Sequence, residues 1–111
     1  MVNCQVREQK GILIIAVSGD VDLESSPKVR DVLLDCVGSK RPVLVDMSGV
    51  SYIDSSGVAS LVEAHQSARK SKTTFALADV SQSAMRVLEL ARLDKVFTIH
   101  SSLAGALGDG G

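Results

Sequence analysis

Val43-Leu44-Val45-Asp46-Met47-Ser48-Gly49-Val50-Ser51-Tyr52-Ile53-Asp54-Ser55-Ser56-Gly57-Val58-Ala59-Ser60-Leu61 is the stretch on which the fold turns. Val43–Met47 is aliphatic around Asp46 and reads as a short strand. Residues 48–56 read as a loop that turns sharply into a helix running from about Ser56 to Lys70. Along that helix Val58, Leu61, Val62, His65 and Ala68 share one side. Asp54, Ser55 and Ser56 each suit a helix N-cap, because a short side-chain oxygen can accept from free backbone N–H groups. Gly57 lets another chain approach the first turn closely. A helix N-terminus carries partial positive charge and tolerates an anion. The residues alone leave two readings open. One is a plain capping cluster. The other is an exposed serine to which a phosphate could be added without melting the helix.

Towards the N-terminus, Val2, Cys4 and Val6 alternate with Asn3, Gln5 and Arg7, the period of a half-exposed strand. Glu8–Gly11 supplies a turn, and Ile12–Val17 is an unbroken aliphatic run that suits a strand buried on both faces. The two form an antiparallel hairpin. Gly19–Ser26 reads as a polar loop holding Asp20, Asp22 and Glu24. Ser26 then caps a helix with Pro27 at its first position, Val29, Val32, Leu33, Cys36 and Val37 on one face, and Gly38 as its stop.

Towards the C-terminus, Thr73–Ala78 reads as a strand and Ser81 as the cap of a helix with Ala84, Val87, Leu88 and Ala91 inward. Val96–Ile99 is a last short strand and Ser101–Leu107 a short helix. The order is β-β-α-β-α-β-α-β-α. Right-handed crossovers make the strands after the hairpin parallel. The expectation is an α/β fold with a mixed sheet of four to five strands, an antiparallel edge and about four helices. One domain spans residues 1–107, and 108–111 form a flexible glycine-rich tail.

Composition narrows the function. The chain has 111 residues, 45% of them hydrophobic and 23% charged, an ordinary globular balance. Aromatic residues make up 3%, namely Tyr52, Phe75 and Phe97, so few rings are available for stacking on bases. Formal net charge is −1, with no overall basic field for nucleic acid. The longest strongly apolar run, Gly11–Val17, is far shorter than the roughly 20 residues a spanning helix needs. Cys4 and Cys36 form no C-x-x-C pair and read as reduced, buried thiols of a cytoplasmic protein.

Several chemistries fail on their motifs. No phosphate-cradling G-x-x-x-x-G-K-[ST] or G-x-G-x-x-G occurs, so no nucleotide cofactor is expected. The serine-hydrolase elbow fails around Ser56, where Asp54 stands in place of the first glycine. Asp20-Val21-Asp22-Leu23-Glu24 alternates carboxylates as a calcium loop begins, but Ser25 stands where glycine is needed, so no metal is expected. His65 reads as a core-edge histidine satisfied by hydrogen bonds. A small enzyme using Ser56, His65 or the Asp20 and Asp22 carboxylates has no partner base, nucleophile or cofactor signature.

The strand–loop–Asp54-Ser55-Ser56-Gly57–helix segment resembles the signature of the STAS domain family (sulphate transporter and anti-sigma factor antagonist), in particular its stand-alone bacterial anti-sigma factor antagonists. Leu44–Val50 resembles the family's hydrophobic–Asp–hydrophobic–Ser–x–Val stretch, and Gly19-Asp20-Val21-Asp22 its Gly–acidic–hydrophobic–Asp segment. The resemblance covers about residues 4–107. It implies a non-enzymatic partner switch. Such a protein binds an anti-sigma factor that is also a serine kinase of the histidine-kinase-like ATPase fold, and so frees the sigma factor. The kinase phosphorylates one serine, here Ser56 by alignment, and the antagonist lets go. A PP2C-type phosphatase restores it. Asp20, Asp22, Asp54, Ser55, Ser56 and Gly57 align with the partner-binding surface. The same resemblance admits a STAS subunit of a phospholipid ABC transporter or sensory complex, which need not be phosphorylated.

Overall fold

Ile14 and Ile15 are neighbours in sequence and both are fully buried, which requires cover on both sides of the strand that carries them. The structure, a computed structural model, describes residues 2–108. It has β1 (Val2–Gln9), β2 (Ile12–Val21), α1 (Ser26–Gly38), β3 (Val43–Ile53), α2 (Ser55–Lys70), β4 (Phe75–Ala78), α3 (Gln82–Leu90), β5 (Thr98–His100) and α4 (Leu103–Ala106). The five strands lie in the order β1-β2-β3-β4-β5. β1 is antiparallel to β2, and β2 to β5 are parallel, the mixed sheet with one antiparallel edge that the element order predicts.

Strand pleating sorts the aliphatic residues into two layers. Ile15, Val45 and Leu77 are paired across β2, β3 and β4 and face the larger core. Val29, Leu33 and Val37 of α1, Leu61 and Ala64 of α2, and Ala84 and Leu88 of α3 fill that core. Ile14, Leu44 and Ala78 face the other way, where Leu103, Ala106 and Leu107 cover them. Each fully buried leucine or isoleucine contributes about 1.5–3 kcal/mol. On the outside, Arg30 of α1 reaches Glu63 of α2 at 2.6 Å.

Several boundaries differ from the sequence reading. Residues 48–53 are not loop: β3 continues to Ile53, paired with β2 as far as Val21. Strict alternation fails there because the β2–β3 register shifts between Ala16 and Ser18 and again between Gly19 and Asp20. The shifts rephase the strand, so Met47, Val50 and Ile53, three residues apart, all point inward. Gly49 makes the first shift possible, since a Cβ there would lie 2.8 Å from the Ser18 Cβ. Asp20 is accordingly the penultimate residue of β2 and not a loop residue. The α1 N-cap is Ser25, while Ser26 is already helical and buried. α1 ends at Gly38 as expected, but the left-handed turn that follows is made by Lys40, at φ 63°, and not by the glycine.

Val6 is half exposed, because the larger core reaches Val2 and Cys4 but not beyond. Ala91 lies past the end of α3 and is exposed, and the last strand begins at Thr98. Cys36 is buried as expected, whereas Cys4 is half-buried; burial pushes both thiols above their ordinary value. His65 is not satisfied by hydrogen bonds. Its Nδ1 is buried without a partner among the described residues, and its ring stands edge-on to Phe97 (5.3 Å) and Phe75 (6.3 Å). Of the expected glycine-rich tail, residues 109–111 lie outside the described residues.

Candidate functional site

The parallel strands β2 to β5 all point one way, so the segments that follow them gather at one end of the sheet. Val21 and Ile53 are paired at the ends of β2 and β3, and the Asp54 N–H donates to the Val21 carbonyl at 3.2 Å. That bond leaves Asp54 extended (φ −111°, ψ −172°), the backbone of an N-cap, and α2 begins at the next residue. Asp54 Oδ1 then accepts from Ser56 N (2.9 Å), Gly57 N (3.2 Å) and Ser56 Oγ (2.5 Å). These bonds, the Ser56 hydroxyl first among them, hold the Asp54 carboxyl below its ordinary value.

Gly57 serves this chain's own packing. It is buried, and a Cβ there would come within 2.7 Å of both Ile53 Cγ1 and Val21 Cγ1 and 2.9 Å of the Val21 oxygen. The close approach it permits is that of β2 and β3 to the first turn of α2.

The adjoining stretch, residues 22–25, is closed by a reciprocal pair. Asp22 Oδ1 accepts from Ser25 N and Ser25 Oγ, both at 3.0 Å, and Asp22 N donates to Ser25 Oγ at 3.0 Å. The Ser25 backbone bond is the chief reason that the Asp22 carboxyl also lies below its ordinary value. Ser25 Oγ is also 2.8 Å from the Asp20 carbonyl, to which it can donate instead. This pairing explains why Ser25, and not Ser26, precedes the helix.

Asp20, Asp22, Asp54, Ser55, Ser56 and Gly57 are thus brought together at the carboxyl end of β2 and β3. Ser55 is exposed, Asp20, Asp22, Asp54 and Ser56 are half-buried, and Gly57 alone is buried. The segments after the parallel strands (residues 22–25, 54, 79–81 and 101–102) hold Asp22, Glu24, Asp54 and Asp79 and no lysine or arginine. Lys28, in the first turn of α1, shares an open cleft of about 390 Å³ with Asp22, Glu24, Ser25 and Val2. Among the described residues, no group of three or more His, Cys, Asp or Glu could hold a metal ion.

Two residues of this end escape sequence reasoning. Leu23 is 77% exposed between Asp22 and Glu24, and Tyr52, paired with Asp20, is 51% exposed. The available signal for Leu23 was its place as the one large apolar side chain in residues 22–25. Tyr52 gave none, because residues 48–53 read as loop.

The sequence profile of the STAS domain matches residues 3–106. The anti-sigma-B factor antagonist of Bacillus subtilis is 21% identical over 106 residues, covering 96% of this chain and 97% of that protein. The anti-sigma-B factor antagonist of Listeria monocytogenes is 31% identical over 88 residues, covering 78% and 77%. Among solved structures, an anti-sigma factor antagonist from Mycobacterium paratuberculosis superposes with a TM-score of 0.89 at 25% identity, covering 97% of this chain and 92% of that one. Among the described residues no helix is long and apolar enough to cross a membrane. With its sheet order, its capped Asp54–Gly57 turn and a profile match along nearly its whole length, this chain belongs to the STAS domain family.

Proposed function

We propose that this chain is an anti-sigma factor antagonist regulated by phosphorylation of Ser56. Its partner is an anti-sigma factor that is also a serine kinase of the histidine-kinase-like ATPase fold, met in the cytoplasm. A PP2C-type phosphatase resets the switch. The observation that carries this reading is the placement of Ser56. Its hydroxyl lies on the first turn of α2, bonded to Asp54 at 2.5 Å, at an end of the fold whose connecting segments carry only acidic charge. The relatives named as anti-sigma-B factor antagonists supply the class of partner.

The chemistry of the switch follows from that hydrogen bond. A free Ser56 donates its proton to Asp54. A phosphate ester has no such proton, so the donor is lost and about −1.5 to −2 charges arrive beside a carboxylate. Ser56 must then swing away from Asp54. The helix N-terminus favours the added anion, so α2 and the fold persist. The surface does not: a partner fitted to Leu23, Ser55 and the acidic rim meets new bulk, new charge and a group that is costly to desolvate. A loss of about 2.7 kcal/mol suffices to weaken binding 100-fold.

The test uses Ser56→Ala and Ser56→Asp baits. Mass spectrometry identifies the partner held by the alanine form, which is then purified and titrated against wild-type, Ser56→Asp and enzymatically phosphorylated protein. The expected result is at least 100-fold weaker binding of the phosphorylated form, with a thermal midpoint close to that of wild type. Equal affinity of the two forms overturns the switch, and a collapsed fold overturns the surface mechanism.

A further inference from the structure

A net charge of −1 conceals a strong sorting of charge along the strands. The segments that precede β2 to β5 (residues 10–11, 39–42, 71–74 and 91–97) lie at the end opposite Ser56. They hold Lys10, Lys40, Arg41, Lys72, Arg92 and Lys95, all exposed, against Asp94, and Arg41 is paired with Glu8 of β1 at the same end. Neighbouring backbone bonds tie these segments together: Leu13 N donates to the Pro42 oxygen and Val43 N to the Thr74 oxygen, both at 2.9 Å. Adjacent strands are ~4.8 Å apart, so the four segments form a strip roughly 15 Å long.

Backbone conformation sets this strip apart. Lys10, Lys40, Lys72 and Arg92 all have left-handed backbone, with φ of 55°, 63°, 57° and 60°. Glycine or asparagine takes that conformation with less strain. Lys40, Lys72 and Arg92 each follow the C-cap of a helix, where the dipole welcomes a cation. Lys10 donates from its Nζ to the carbonyl of Leu107, the C-cap of α4, at 3.4 Å. The dipole does not account for Lys95. Nor does it account for Leu90, the last residue of α3 and 80% exposed, or for Val96 of the α3–β5 connection, 50% exposed, which flank Arg92 and Lys95.

We propose that this basic end docks on an anionic lipid surface. A row of cations beside protruding aliphatic side chains matches a bilayer interface, which takes charge at its headgroups and small apolar groups at the acyl boundary. Single-stranded nucleic acid fits the strip less well. Phe75 and Phe97 are buried and Tyr52 is at the opposite end, so no ring is offered to a base. The contact is peripheral, since no helix among the described residues can span a membrane. The acidic end is repelled by the same lipid, so the charge sorting fixes the orientation. With body extents of 32 × 28 × 25 Å, Ser56 stands far beyond the roughly 8 Å screening length at physiological salt. The switch surface stays open to a partner while the opposite end is docked.

The test is sedimentation of the full chain with phosphatidylcholine vesicles, with and without 30 mol% phosphatidylglycerol, at about 50 and 300 mM salt. A Lys40→Gly/Lys72→Gly/Arg92→Gly variant removes three charges at positions whose backbone suits glycine, so it folds. A Leu90→Ser/Val96→Ser variant removes the apolar contacts, and a thermal melt checks both. Binding is expected only with phosphatidylglycerol, weakened about 100-fold in the glycine variant and several-fold in the serine variant, and lost at high salt. No binding at low salt, equal binding to neutral vesicles, or unchanged binding by either folded variant overturns the proposal. So does tighter binding to a duplex DNA than to the anionic vesicles.

Discussion

Gly57→Ala tests whether the start of α2 is placed by close packing, as its geometry states. The added Cβ would lie 2.7 Å from Ile53 Cγ1 and from Val21 Cγ1, and 2.9 Å from the Val21 oxygen. Ordinary carbon contacts are ~3.5–4.0 Å, so the helix must withdraw by roughly 0.8 Å or more. Val21 and Ile53 are buried in the larger core and Val21 is held in the β2–β3 ladder, so neither yields cheaply. Overpacking of this kind costs about 1–3 kcal/mol, and involvement of a backbone oxygen places it in the upper half of that range. Gly38→Ala is the internal control. It makes the same change at the last residue of α1, where a Cβ meets nothing within 4 Å, and it gains no more than about 0.5 kcal/mol from helix propensity. At about 4–6 °C per kcal/mol for a domain of this size, Gly57→Ala lowers the thermal midpoint by about 8–18 °C, while Gly38→Ala raises it by a few degrees. Calorimetry and urea unfolding read both, with the urea slope expected to stay constant. A Gly57→Ala midpoint at or above wild type refutes the packing argument, and glycine there would then need another reason.

Leu33→Ala empties a fully buried position of α1 and costs about 2–5 kcal/mol in urea unfolding. Ser81→Ala deletes the hydroxyl that accepts from Ala84 N at the start of α3; by the same measurement it costs about 1 kcal/mol. The folded-state pKa values of Asp22 and Asp54 lie below their unfolded values. Their contribution to stability is therefore fully present above about pH 4 and is lost as pH falls through the lower folded values. Thermal midpoints across the acid range should decline less steeply in Asp54→Asn than in wild type. Cys4 and Cys36 act in the opposite sense: burial raises both, so their contribution is present below about pH 8.5 and is lost as pH rises through the raised folded values. Thiol titration of the native protein should accordingly lag behind that of the urea-unfolded chain.

Periodicity made the elements legible wherever one face of an element meets one core. The inward residues of α1, the two-faced burial of Ile14 and Ile15 and the antiparallel β1 edge all follow from spacing alone. Legibility ended where a second strand or a second side chain decides the outcome. Residues 48–53 look like loop because Met47, Val50 and Ile53 are three apart, and only the β2–β3 register shifts make that spacing a strand. Ser25 and Ser26 look equivalent as caps, but Asp22 ties down the Ser25 hydroxyl, so Ser25 holds the N-cap position with no side-chain bond to the helix. The candidate site behaved in the same way. Its residue types and their grouping were readable, because an Asp-Ser-Ser-Gly turn caps a helix wherever it stands. Not readable was the role of Gly57, which answers to Val21, 36 positions earlier in the chain. Net charge hid most, because it adds what the fold separates. A chain near neutrality places acids after its parallel strands and cations before them. Parallel topology, and not composition, makes those two sets into opposite ends, and so gives one small domain two surfaces of unlike charge.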